Sequence, residues 1–161
     1  MAELLNLPHS LQWKILLTEF DLFENMNICV VYFSRTGNTK RLAQAIASTA
    51  KAPLSDLAST QPSTLENCHL LILGTPVEGA NPAKETLEFI EAMPKLQGKK
   101  AMLFCTYRLF GNNKTMNAME KALAAKGYET LLKVSKKGMK PEKAADFSEI
   151  LSEIKKALEK P

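Results

Sequence analysis

Short apolar runs alternate along this chain with stretches of helical periodicity, and that alternation predicts its architecture. Ile28-Cys29-Val30-Val31-Tyr32-Phe33 is continuously apolar and partly β-branched, the pattern of a strand covered on both faces. Leu70-Leu71-Ile72-Leu73 and Ala101-Met102-Leu103-Phe104-Cys105 read the same way, while 131–134 and 54–57 are weaker strand candidates. Between them, Leu42, Ala43, Ile46, Ala47 and Ala50 share one helical face. Asn81-Pro82 reads as an N-cap with proline in the first turn of a helix that turns Leu87 and Ile90 inward and stops before Pro94. Met116, Met119 and Leu123 form the next stripe, closed by Gly127, and Pro141 opens a last helix carrying Phe147, Ile150, Leu151, Ile154 and Leu158. The expectation is an α/β fold, an open doubly wound five-stranded parallel sheet with helices on both faces. Ligands of such sheets bind beyond the carboxyl ends of the strands, here after Phe33, Leu73 and Cys105.

Residues 1–26 stand outside the alternation and read as an N-terminal extension; the domain proper is 27–161. The extension has three readings: a short helix over 11–20 with Trp13 and Leu17 partly buried, a loose attachment, or sequence upstream of a start at Met26.

With 161 residues, 45% hydrophobic and 24% charged, the chain suits one domain with a full core and not global disorder. No stretch has the roughly 18 uncharged apolar residues of a membrane span, and the first 25 residues lack the pattern of a secretory signal. Cys29, Cys68 and Cys105, widely spaced and odd in number, argue against a disulfide framework and a zinc site. A reducing cytoplasm is the simplest location. The net charge of +4 divides into −3 over residues 1–25 and +7 over the rest, with Lys133, Lys136, Lys137 and Lys140 close together. That cluster is either a solvated loop or a patch attracting an acidic partner. No aromatic residues interleave it, so nucleic acid is not expected as a partner.

Ser34-Arg35-Thr36-Gly37-Asn38-Thr39 follows the first strand and opens a helix. Backbone N–H groups lack intrahelical partners there, and the helix dipole favours an anion. Three hydroxyls at alternate positions can donate to phosphate oxygens, and Gly37 lets the backbone approach closely. An ordinary Ser/Thr capping motif is the plain alternative. The loop lacks the Gly-Lys-Ser/Thr element of a triphosphate-binding loop, and the chain has no G-x-G-x-x-G. The first strand carries no acidic residues, as a phospho-acceptor domain would need.

The segment Val31 to Thr39 resembles the phosphate loop of the flavodoxin family, Ser/Thr-x-Thr-Gly-x-Thr, and the element order resembles that family from about 27 to 158. No long insertion interrupts the fifth strand, as in short-chain members. The resemblance implies strand order 2-1-3-4-5 and non-covalently bound flavin mononucleotide (FMN). It implies phosphate held by Ser34, Arg35, Thr36, Gly37, Asn38 and Thr39. It places the isoalloxazine ring between a second loop with Thr75, Pro76, Val77, Glu78 and Gly79 and a third with Thr106, Tyr107, Phe110 and Gly111. Gly79 would allow the backbone change that members make on reduction. The family's second-loop aromatic is absent, with Val77 and Glu78 in its place, so Tyr107, or else Phe110, is expected to stack on the ring. Cys105 reads as a buried, inert thiol.

The function implied is an electron carrier passing one or two electrons between redox partner proteins, acidic ones if the lysines dock them. Neither His9 nor His69 then needs a catalytic role. The alternatives are an FMN-dependent NAD(P)H:quinone-type oxidoreductase, for which the missing aromatic leaves room, and a binding module without flavin. Family members are typically acidic, whereas this chain is basic, with Arg35 and Arg108 beside the loops. A less negative potential for the final reduction step is therefore expected.

Overall fold

The computed structural model describes residues 8–12 and 26–159. The proposed helix over 11–20 lies mostly outside them; residues 9–12 form a helical turn. Among the described residues five parallel strands make the sheet: β1 (Ile28–Tyr32), β2 (Leu54–Asp56), β3 (Leu70–Glu78), β5 (Lys99–Tyr107) and β6 (Tyr128–Lys137). β4 (Asn81–Pro82) pairs antiparallel with the end of β3. The order is β2-β1-β3-β5-β6, the expected order once β4 is counted. The helices are α1 (Asn38–Ala50), α2 (Lys84–Ala92), α3 (Asn112–Ala124) and α4 (Ser148–Leu158).

The apolar runs are continuous because successive residues feed opposite faces of one sheet. Val30, Tyr32, Leu70, Ile72, Met102 and Phe104 pack with Leu42 and Ile46 of α1 and Ile150 and Ile154 of α4. Their neighbours Val31, Leu71, Leu73 and Leu103 pack with Phe89 and Ile90 of α2 and Met119 and Leu123 of α3. Strand order reverses at β1, flanked by β2 and β3.

Four expectations are corrected. Asn81 does not cap a helix. Gly79 (φ 58) and Ala80 (φ 61) make the two-residue turn of a hairpin, so Asn81-Pro82 returns as a strand. Helix α2 starts at Lys84, and the Thr75 hydroxyl accepts the Ala83 N–H at 3.1 Å. Leu87 is exposed, and Thr86, Phe89 and Ile90 form the buried face. Pro141 does not open α4. Arg41 takes the carbonyls of Lys140 (2.8 Å) and Lys143 (2.7 Å), and the helix begins at Ser148, whose N–H reaches Asp146 Oδ1 at 2.9 Å. That bond, ahead of the Lys136 charge, holds the Asp146 carboxyl below its ordinary pKa. Finally, Cys29 and Cys68 are joined as a disulfide. Their separation of 39 residues hid the pair; β1 and β3 are neighbours, and Cys68 lies two residues before the start of β3.

Candidate functional site

The carboxyl ends of β1, β3 and β5 bring the three loops together. In the first, Gly37 caps α1 at φ 94, a conformation that favours glycine. Nothing lies within 4 Å of where its Cβ would be, so the space above it is open. The Gly37 N–H donates to Ser34 Oγ (3.0 Å), which leaves the Ser34 hydroxyl proton to give. The first helical bond is Arg41 N–H to the Gly37 carbonyl (3.1 Å), so the N–H groups of Asn38, Thr39 and Lys40 have no intrahelical acceptor. Arg35 and Thr36 are exposed. Asn38 donates to the Met139 carbonyl (3.2 Å) and accepts from Arg41 (3.1 Å), which ties α1 to the segment after β6.

Thr39 turns inward. It is 1% exposed, and its hydroxyl lies 2.7 Å from that of Thr106, itself 6% exposed, which links the first loop to the third. Two hydroxyls hold two protons and their mutual bond uses one, so one proton remains to donate.

The Thr75 hydroxyl serves the fold. It accepts from Ala83 and Thr86 and donates to the Pro76 carbonyl (3.1 Å), all within a buried cluster. Pro76, Val77 and Glu78 are half-buried and Gly79 is exposed at the hairpin tip. Arg35 crosses from the first loop to the second. Its Nε and Nη2 hold both oxygens of Glu78 at 2.6 and 3.1 Å, and Nη2 also meets Glu85 at 3.0 Å. The guanidinium lies 4.9 Å from the centroid of the Phe33 ring. These carboxylates raise the pKa of Arg35 above its ordinary value. The Glu85 carboxyl is held below its own by its backbone N–H at the start of α2, and then by Arg35. Glu85 was not evident from the sequence, because no local signal ties it to a residue 50 positions away.

This arrangement revises the charge expectation. Arg35 faces two carboxylates, so the rim between the first two loops carries −1 rather than +1. The basic side is the third loop, where Arg108 is exposed and Tyr107 pairs with Lys137 across β5 and β6. Lys133 does not belong to that rim; it is bound to Glu120 (2.8 Å) and Asn117 (3.0 Å) of α3.

Tyr107 is half-buried, whereas Leu109 and Phe110 are each 73% exposed. Gly111 caps α3 at φ 97, and a Cβ there would fall 2.7 Å from Ala80 Cα, so the second and third loops are in close contact. Cys105 is fully buried and burial pushes its thiol up to about 12, as an inert core residue requires. His69 Nδ1 accepts the Asn27 N–H (3.0 Å) far from the loops. Among the described residues no group of three or more His, Cys, Asp or Glu could hold a metal ion, and no helix is long and apolar enough to cross a membrane.

The open space above Gly37, the free N–H groups of α1 and the spare hydroxyl protons fit a phosphate dianion. The chain is also similar to known flavodoxins. The flavodoxin domain model matches residues 29–157. Flavodoxin from Megasphaera elsdenii is 32% identical over 97 residues, which span 55% of this chain and 70% of that protein. Oxidised flavodoxin 1 from Bacillus cereus has a TM-score of 0.71 at 22% identity, over 83% of this chain and 98% of that one. The solution structure of two-electron reduced Megasphaera elsdenii flavodoxin has a TM-score of 0.66 at 25% identity, over 83% and 99%. The chain belongs to the flavodoxin family, whose members bind FMN.

Proposed function

We propose that this chain carries electrons between redox proteins through FMN held by its three loops. The observation behind this reading is the start of α1: a left-handed Gly37 at the end of the loop that follows β1, at the point of strand reversal, aims unpaired donors into open space. The phosphate is held by Ser34, Thr36 and the N–H groups of Asn38, Thr39 and Lys40, with the Thr39–Thr106 pair beneath. Arg35 braces the first loop against the second through Glu78 rather than contacting phosphate. Tyr107 and Phe110 face the ring on the third-loop side, where Gly111 closes that loop, and Pro76, Val77 and Gly79 shape the opposite wall. FMN, when bound, supplies the one- and two-electron chemistry. No acid, base or nucleophile of the protein is required.

Arg108 lies in the third loop beside the exposed Leu109 and Phe110, and Lys136 and Lys137 pair with Thr106 and Tyr107 at its start. An apolar tip with basic flanks suits an acidic redox partner, steered by charge and seated by apolar contact. The cytoplasm is the compartment this reading assumes.

A second reading, an FMN-dependent NAD(P)H:quinone oxidoreductase, is favoured by one observation: the second loop offers only Val77 and Glu78, so no aromatic side chain from it covers the ring position. The purified chain is expected to be yellow and to reduce quinone with NAD(P)H negligibly without a separate reductase. Rapid steady-state turnover by the chain alone would replace the carrier reading with the enzyme.

A further inference from the structure

A cleft of about 730 Å³ opens at the amino ends of the strands, the end of the sheet away from the three loops. Cys29 and Cys68 both line it, together with Val31, Leu65, Lys51 and Thr64. We propose that the Cys29–Cys68 pair is a thiol–disulfide exchange site that admits a small peptide thiol of the glutathione class through this cleft. The proposal does not depend on the flavin reading.

Three observations carry it. The cleft is large enough for a small organic ligand and leads to both cysteines, so exchange does not require the core to open. Its walls combine apolar surface with Lys51, Thr60, Thr64 and Asn67, groups suited to the carboxylates and amides of a peptide thiol. The surrounding fold is also pinned without the cross-link. The Asn27 carbonyl accepts from His69 (2.8 Å) and Leu70 (3.2 Å), its side chain donates to the Asn67 carbonyl (3.1 Å), and Lys99 Nζ holds the carbonyls of Glu66 (2.7 Å) and Cys68 (3.2 Å). The bond can therefore break and reform between residues that stay in place, with Cα atoms 6.0 Å apart.

Exchange begins at Cys29, which is half-buried where Cys68 is 4% exposed. An external thiolate attacks the Cys29 sulfur, the sulfur–sulfur bond breaks, and Cys68 leaves as a thiolate that takes up a proton. A second thiol attacks the mixed disulfide and releases Cys29 as a thiol. Two external thiols are oxidised to one disulfide, and the protein gains two electrons and two protons.

The test exposes the native full-length chain to millimolar reduced glutathione, then alkylates and counts thiols by mass spectrometry. Cys29 and Cys68 should become alkylatable while Cys105 does not, and graded mixtures of reduced and oxidised glutathione should give a reversible two-electron transition. Given oxidised glutathione, C68S should acquire a glutathione adduct at Cys29, releasing one reduced glutathione, faster than C29S does at Cys68. A pair that yields thiols only in denaturant would be a purely structural cross-link and would overturn the proposal. So would cysteines that stay reduced under excess oxidised glutathione.

Discussion

Thr39→Val keeps the shape of the side chain and removes one hydroxyl from a buried pair. Thr39 and Thr106 are 1% and 6% exposed and their oxygens lie 2.7 Å apart. The single substitution leaves the Thr106 hydroxyl buried without that partner, a loss of about 1–3 kcal/mol. For a domain of this size that lowers Tm by about 2–12 °C. Valine fills the same volume, so no cavity term is added. The double variant T39V/T106V removes both polar atoms and should recover most of the stability, since replacing both partners by apolar groups of the same shape is nearly neutral. Urea denaturation of the FMN-free chain reads this as a lower midpoint for either single variant, a midpoint near wild type for the double, and an unchanged slope. FMN affinity should fall in T39V and stay low in the double variant, separating the stability role from the binding role. A double variant that loses the sum of the two single losses would refute the paired-hydroxyl argument.

Gly111→Ala places a methyl group against Ala80 at φ 97, so it should cost at least about 1–2 kcal/mol in strain and weaken FMN binding by parting the second and third loops; equal stability and affinity by urea melt and fluorimetric titration would contradict the contact. Glu85 has a folded pKa below its ordinary 4.5, so the stability it adds is present above 4.5 and lost as the pH falls through the lower folded value. Urea midpoints from neutral pH downward should accordingly fall more steeply for wild type than for E85Q, and identical profiles would remove Glu85 from the account. Because the Arg35 rim carries −1, E78Q should shift the final reduction potential positive and R35M should shift it negative, each on the order of tens of millivolts. A spectroelectrochemical titration showing the opposite signs would mean that the rim does not face the flavin.

The sheet was legible because the buried runs of β1, β3 and β5 are apolar up to Thr75 and Thr106 near their carboxyl ends, and residues such as Val30 and Val31 can serve opposite faces only in a buried strand. The first loop was legible because Gly37 and its hydroxyl neighbours follow a strand directly. What escaped was set by contacts between distant residues. Asn81-Pro82 has the local chemistry of a helix start, yet the positive φ of Gly79 and Ala80 returns it as a strand. Pro141 opens only a single turn, closed by the Lys143 N–H on the Lys140 carbonyl and tied to α1 by Arg41, and α4 begins later at Ser148. The Arg35 clamp and the Cys29–Cys68 bond join residues 39 to 50 positions apart, which no local pattern records.

The central claim is that the loop from Ser34 to Thr39 grips a phosphate. Comparing FMN with riboflavin, which has the same ring and no phosphate, isolates that grip in one fluorimetric titration of the FMN-free chain. Each hydrogen bond to a charged group contributes about 1.5–3 kcal/mol, so losing two of them should weaken riboflavin about 10²- to 10⁴-fold relative to FMN. Equal affinity for the two flavins, or no binding of either, would contradict the account.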